Sequence, residues 1–301
     1  MNAFMAYGVC VESNLDFCEL PRVTGSKDAI QIQVERVTSI KADPGISVRS
    51  CVAQGRTVHI VSHVSYVNVQ IDLALGFELW VSSRCIYCLA LNGVPENLLK
   101  YWILQQIIPL FLLLCGSTEF LHGMAVSVTS YRKGQRNLPC MGFVGPSYAG
   151  KSTLLNYFLS QGHALVADDQ LALSRHNYAE IAPTVPFYRP YRAAEELGIL
   201  TARYSWEVRH LSRLYFLVPC APEAETRIEK ISGIDAVTAL FHNIQYGLHN
   251  LARPDFFPLV ESRFRGIADI SRRIPAARLH VPRNLDRLPE VYDLIQNDHV
   301  S

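Results

Sequence analysis

No stretch of this sequence is long and apolar enough to read as a comfortable membrane span. Its most apolar region, Tyr101 to Cys115, is short for that purpose and is interrupted by Gln105, Gln106 and Pro109. It is expected to be a core helix. Strong charge of either sign is also missing. A formal net charge of +1 provides no global field to draw the chain toward nucleic acid or an anionic membrane. Neither is expected as a partner, although a local basic patch is left open. The first residues lack a basic stretch followed by an apolar core and a small-residue cleavage site, so no signal peptide is expected. Only Cys85 and Cys88 among the 8 cysteines are spaced as Cys-x-x-Cys. No second pair and no histidines at ligand spacing accompany them, which argues against a zinc framework. They sit in the apolar run Cys85 to Leu91, which reads as a strand carrying buried thiols, and a reducing cytoplasm suits all eight. Internal repeats and low-complexity tracts are absent.

What is present describes a compact globular chain. With 301 residues, 49% of them hydrophobic and 18% charged, it can hold one large domain or two ordinary ones. The first hundred residues read as mostly β. Short branched or alternating apolar runs lie at Ala6 to Val11, Ala29 to Val37, Thr57 to Val61, Tyr66 to Ile71 and Glu78 to Val81, with turn-like Gly25 to Asp28 and Asp43 to Gly45 between them. Pro95 opens the helix that runs toward Cys115. A boundary near Gly116-Ser117 divides a β-rich domain, residues 1–117, from a second domain, 118–301. Phe120 to Val126 and Cys140 to Val144 read as strands of the second domain, separated by a polar turn at Arg132 to Asn137.

The stretch Gly145-Pro146-Ser147-Tyr148-Ala149-Gly150-Lys151-Ser152 matches the phosphate-binding pattern G-x-x-x-x-G-K-[ST] at every required position. An apolar strand precedes it, and Thr153 to Leu159 follows with apolar residues at helical spacing. That order aims backbone N–H groups and a helix N-terminus at bound phosphate. Residues 145–153 are therefore expected to bind nucleotide, with Lys151 reaching the β- and γ-phosphates and the Ser152 hydroxyl holding Mg²⁺. Downstream, four apolar residues run into two carboxylates, Ala164-Leu165-Val166-Ala167-Asp168-Asp169. In an open α/β sheet, ligands gather at the carboxyl ends of strands. The pair is expected at the same sheet edge as the loop. Consecutive strand residues face opposite ways, so one carboxylate can turn to Mg²⁺ while the other takes a proton from an attacking hydroxyl.

Together, Leu121-His122-Gly123, the loop at 145–152 and Gly162 to Asp169 resemble the HPr serine kinase-like family over roughly residues 118 to 290. The resemblance is strongest to its looser branch, which includes kinases tailoring ribosomally made peptides, such as lasso-peptide precursors phosphorylated on a C-terminal serine. It implies an α/β fold in which a P-loop nucleotide domain follows a smaller β-rich domain, and it implies ATP and Mg²⁺ as cofactors. It assigns Lys151 and Ser152 to ATP and Mg²⁺, Asp168 to general base, Asp169 to metal or phosphate-side work, and His122 to the vicinity of the γ-phosphate. The sequence departs from the regulatory members at Tyr148, where they favour a small residue, and lacks their Glu-Ile-Arg-Gly-type signature. Pro183 to Leu197 offers Arg189, Arg192, Glu195 and Glu196 without a clear motif.

Arg203, Arg209 and Arg213 are expected on a helix or loop before the strand Leu214 to Val218, and Ala236 to Leu251 on an amphipathic helix with His242 and His249. Seven arginines between Arg263 and Arg287 could hold an acidic peptide or a phosphate-bearing ligand, or form a charged helix face. Arg192 and Arg272 are the candidates for transition-state charge. The expected function is a cytoplasmic, ATP- and Mg²⁺-dependent kinase acting on a serine hydroxyl of a peptide or small protein. A nucleotide switch or ATPase without a phosphorylated substrate is the alternative, although no Asn-Lys-x-Asp or Leu-Ser-Gly-Gly-Gln-like signature is present. A binding module without chemistry is the third class. The sequence leaves a homo-oligomer open.

Overall fold

A computed structural model describes residues 1–44, 47–128, 139–190, 194–246 and 257–300. The chain forms two compact units, Met1–Cys115 with Arg192–Gly198, and Gly116–Tyr191 with Ile199–Ser301. The division falls two residues before the expected boundary. Within the span expected to form the second domain, the described residues 194–198 group with the first unit.

The first unit carries an eight-stranded sheet: β1 (Asn2–Ala6), β2 (Val9–Ser13), β3 (Ile30–Val37), β4 (Ser47–Ala53), β5 (Arg56–Ser62), β6 (Val67–Ile71), β7 (Leu75–Trp80) and β8 (Cys85–Leu91). Their order is β1-β2-β3-β8-β7-β6-β5-β4. The pairs β2–β3 and β3–β8 are parallel. The remainder are antiparallel neighbours joined by tight turns, which short apolar alternations with turn residues between them favour. The run from Ala6 to Val11 is a correction. It is not one strand but a hairpin, folded at Tyr7 (φ 54°) and Gly8 (φ 72°), where two successive left-handed residues match the twist of the flanking strands. Cys88 is buried, and its thiol is pushed up to about 12 by desolvation.

The apolar helix runs as α1 (Glu96–Trp102), a π-helical turn (Ile103–Ile107) and α2 (Ile108–Leu114). Pro109 explains the interruption. It has no N–H to offer the carbonyl four residues back, and its ring crowds that carbonyl. The wider π turn, in which the Ile108 N–H reaches the Ile103 carbonyl, takes up the strain. Among the described residues, Glu96–Leu114 is the one helix long and apolar enough to cross a membrane, yet 78% of its most apolar window is buried inside the protein. This agrees with the core helix expected from its Gln and Pro interruptions.

The second unit is a mixed sheet with helices on both faces. Its strands are β9 (Thr118–Ser127), β10 (Pro139–Val144), β11 (Leu165–Ala167), β12 (Gln170–Ser174), β13 (Glu180–Ala182), β14 (Phe187–Tyr188), β15 (Ile199–Leu200), β16 (Arg209–Cys220), β17 (Arg227–Ile231) and β18 (Ala276–Pro282). The main sheet runs β12-β9-β10-β16-β18-β17 through its centre; β14 and β15 pair separately. Strand alternation separates two cores. Leu121 and Ala125 of β9 pack toward Leu240 of α4 (Gly233–Phe241) and Ile267 of α5 (Phe257–Arg273). Met124 and Val126 pack toward Leu155 of α3 (Lys151–Ser160) and Ile295 of α6 (Leu288–Val300). The result is a three-layer αβα arrangement. Arg209 and Arg213 lie within β16, correcting the expected helix or loop. The helix expected over Ala236 to Leu251 ends at Phe241, with His242 at its cap; His249, Arg192 and the Arg132 to Asn137 turn lie outside the described residues.

Candidate functional site

Strand β9 organises the site. Its residue Gly123 lies opposite Val144, the last residue of β10 before the 145–152 loop. On the other side its N–H donates to the carbonyl of Asp169 at 3.2 Å. The loop and the aspartate pair therefore flank one position of one strand, roughly two strand spacings (~10 Å) apart. Only glycine fits there. A Cβ on Gly123 would stand 2.5 Å from the Phe143 carbonyl oxygen and 2.7 Å from Val144 Cγ1.

The loop itself is a strand–turn–helix. Gly150, at φ 94°, turns the chain into α3, and Lys151 and Ser152 are the first two helical residues. Tyr148 also takes positive φ, and it is 84% exposed. Ala149 is buried, and its N–H donates to the Pro146 carbonyl. The Lys151 ammonium folds back onto the loop, donating to the carbonyls of Gly145 (2.6 Å) and Pro146 (3.0 Å). Pro146, Ser147 and Thr153 face solvent.

The expected strand–helix–strand unit is β10–α3–β11, and Asp168 and Asp169 follow β11 directly, but the chain then continues at once into β12. β11 and β12 both run antiparallel to β9, and the two aspartates form the interruption between them. Since β10 is also antiparallel to β9, β10 and β11 point the same way, so the loop and the pair still emerge together. Asp169 sits at φ 67°, which removes the simple alternation of faces. Asp168 accepts from the backbone N–H of Arg189 (2.8 Å) and from that of Asp169 (2.9 Å). Stripping of water from its carboxyl raises its pKa to about 6; the Arg189 N–H bond opposes that rise and the neighbouring Asp169 charge adds to it. Asp169 forms an ion pair with the Arg189 guanidinium. Its other carboxylate oxygen lies 3.5 Å from His122 Nδ1, which is 3.1 Å from the Asp169 carbonyl.

Two parts of this site carry no motif. Arg189 engages both aspartates, delivered by the short strand β14 just before it. The second part is a strap at Asn243 to Tyr246. The His122 N–H donates to the Asn243 carbonyl (2.7 Å), and the Gln245 N–H donates to the Phe120 carbonyl (2.8 Å). The strap is held by Arg263, fully buried on α5, which pairs with the equally buried Glu119 at 2.6 Å and donates to the carbonyls of Gln245 and Tyr246. In the sequence this arrangement shows only as an arginine placed four and seven residues before the core residues Ile267 and Ile270, on the apolar stripe of the helix.

A pocket of about 370 Å³ opens on the other flank of the loop, between Gly150 and Thr153 on one side and Leu217, Pro282 and Leu285 on the other. No group of three or more His, Cys, Asp or Glu side chains could hold a metal ion among the described residues. A hydroxyl at Ser152 with one carboxylate is instead the sparse protein donor set that Mg²⁺ uses when phosphates and water complete its shell. The Lys151 ammonium now rests on two loop carbonyls that phosphate oxygens could replace, so the residues present fit a Mg²⁺-nucleotide.

No family model matches the chain, and no curated protein sequence is detectably similar to it.

Proposed function

We propose that this protein is an ATP- and Mg²⁺-dependent kinase, built on a P-loop domain of the HPr kinase-like kind preceded by a smaller β-rich domain. It acts in the cytoplasm on a serine hydroxyl of a peptide or small protein. A C-terminal serine, as in a lasso-peptide precursor, is the specific substrate class suggested by the resemblance. The observation that carries the reading is the shared registration on Gly123 of the 145–152 loop and the Asp168–Asp169 pair.

In this reading the loop amides and Lys151 take the phosphates, while Ser152 and Asp169 hold Mg²⁺, which when bound neutralises phosphate charge. Asp168 accepts the serine proton as the hydroxyl oxygen bonds to the γ-phosphorus. The bond from that phosphorus to the β-phosphate bridge breaks, and ADP leaves with the electron pair. A carboxyl with a pKa of about 6 is charged at pH 7 yet basic enough to take a proton in flight. Arg189 and His122 hold Asp169 in place, and such a site works through positioning and electrostatics.

The test combines calorimetric titration of Mg·ATP with mass spectrometry of serine peptides, some ending in serine and some with serine internal. Asp168→Asn should keep Mg·ATP affinity and abolish the mass gain of one phosphate; Lys151→Ala should lose both. Transfer retained in Asp168→Asn excludes the proposed base. Phosphate release with no phosphopeptide moves the reading to an ATPase.

A further inference from the structure

Of the seven arginines between Arg263 and Arg287, five are paired with carboxylates: Arg263 with Glu119, Arg265 with Glu261, Arg272 with Asp269, Arg278 with Glu229 and Arg287 with Glu290. This largely answers the choice between a ligand-binding cluster and a charged face in favour of the face. Arg273 is exposed without a carboxylate partner among the described residues, and Arg283 differs from it by its position. Arg283 is also exposed, has no carboxylate partner among the described residues, and lines the 370 Å³ pocket beside the loop. Its backbone N–H donates to the Cys220 carbonyl at 3.2 Å, which ties it to the end of β16.

The pocket's position follows from the topology. β10, β16 and β18 are parallel, so their carboxyl ends lie on one edge. The loop follows β10, Leu217 and Pro219 stand near the end of β16, and Val281 and Pro282 end β18. The aspartate pair lies on the opposite flank of β10, across β9. A ligand whose phosphates occupy the loop thus has a carboxylate-bearing side and an apolar side. Leu217, Pro219, Val281, Pro282, Leu285 and Leu288 make the second side apolar. Leu285 is 70% exposed at its mouth, an apolar side chain held in water with a recess beneath it. The volume lies within the roughly 300–1,000 Å³ typical of small-molecule sites. Asn284 cannot lend its side-chain Oδ1 freely, since that oxygen accepts from the Asp286 N–H. Arg283 offers up to five donors and no acceptor.

We propose that this recess receives the purine nucleoside of the bound triphosphate, with Arg283 donating to acceptor atoms of the base or ribose. The inference rests on the nucleotide reading above and adds to it a direction: base toward β18, terminal phosphate toward Asp168. Leu285 closes over the base, and Arg283 sets affinity for the nucleoside and not for the phosphates.

Calorimetric titration of the full chain with Mg·ATP, Mg·GTP and Mg·tripolyphosphate tests this. Wild-type protein should bind one or both nucleotides at least tenfold more tightly than tripolyphosphate. Arg283→Ala and Leu285→Asp, both at exposed positions, should each weaken the preferred nucleotide about tenfold, equivalent to about 1.4 kcal/mol, and leave tripolyphosphate unchanged. Nucleotide affinity unchanged in both variants, with Lys151→Ala still abolishing it, overturns the inference and leaves the nucleotide reading standing. Wild-type affinity equal for ATP, GTP and tripolyphosphate overturns it as well. Failure of all three to bind wild-type protein removes the nucleotide reading and this inference with it.

Discussion

In the first unit, Tyr7, Gln54, Asp72, Leu73 and Arg84 take positive φ in the tight connections between consecutive strands; Glu195 also does so outside any hairpin, where its carboxylate accepts from Arg56 of β5. In the second unit, the described non-glycine residues that do so are Tyr148, Asp169 and Tyr246. None of these three joins two strands of a hairpin. Tyr148 is in the loop, Asp169 in the carboxylate pair, and Tyr246 at the end of the strap beside His122. A left-handed non-glycine residue costs roughly 1–2 kcal/mol. In the hairpins that cost is offset at once, because the turn lets two strands pair. Around β9 the same conformation yields no strand pairing, and the compensation comes from buried charge: Arg189 on Asp169, and Arg263 on Glu119 and the strap. Strain held by surrounding structure that does not need it for topology is the pattern of a working site.

The largest effect expected from breaking that difference is at Arg263. Arg263→Met leaves Glu119 buried and uncompensated, and should destabilise the second unit by about 3–5 kcal/mol in urea unfolding. The double variant Arg263→Met with Glu119→Leu should recover most of that loss, since a well-packed apolar pair is often neutral against a buried ion pair. A recovered double variant that still lacks Mg·ATP-dependent phosphate transfer would show that the arginine matters for setting the strap, beyond its share of stability. If the single variant unfolds no earlier than wild type, the buried pair is not what holds the strap.

Asp168 sharpens the comparison through pH. Its native pKa of about 6 lies above the ordinary carboxylate value, so the folded protein binds this proton more tightly than the unfolded chain. The stability of wild type should therefore fall as pH rises from about 4 to about 6 and level off above, by at most ~3 kcal/mol. Asp168→Asn lacks the proton, and the wild-type advantage over the variant should shrink across that window. The asparagine has one acceptor for two backbone N–H groups, from Arg189 and Asp169. This adds a penalty that does not change with pH, so the slope, not the offset, is the readout. Parallel stability curves for the two proteins from pH 4 to 8 would mean that the carboxyl is not desolvated.

How much of this was legible beforehand differs between the two units in a physical way. Strands β3, β5, β6 and β8 follow local apolar runs and were readable within a residue or so of their ends. The Tyr7-Gly8 hairpin was not, because tyrosine, an apolar strand former, occupies the first left-handed position and hides the turn inside a continuous run. Edge strand β4, Ser47–Ala53, is too polar to announce itself. In the second unit the loop stood out because phosphate binding dictates residue type at fixed spacing, and the aspartates because an apolar run ends on them; His122 stood out only through the family resemblance. The bulge between β11 and β12 was not, since it arises from how both segments register on β9. Arg189 acts on Asp168 through its backbone N–H and the strap acts through carbonyls. Backbone groups leave no trace in residue identity.

Two glycines offer the most even-handed test. Gly55, in the β4–β5 turn, has φ 82°, and Gly150, at the start of α3, has φ 94°; a Cβ at either would meet nothing within 4 Å. Neither substitution causes a clash, so Gly55→Ala and Gly150→Ala should each cost only the left-handed penalty of ~1 kcal/mol. Thermal unfolding should register losses of similar size. Their consequences for ligand should diverge. Gly150 orients the N–H groups that open α3, whereas Gly55 joins two strands of the first unit. Mg·ATP affinity should fall several-fold for Gly150→Ala and stay at the wild-type value for Gly55→Ala. If both variants keep wild-type affinity, the backbone of the 145–152 loop is only another turn, and the contrast between turn strain and site strain fails at the position where it matters most.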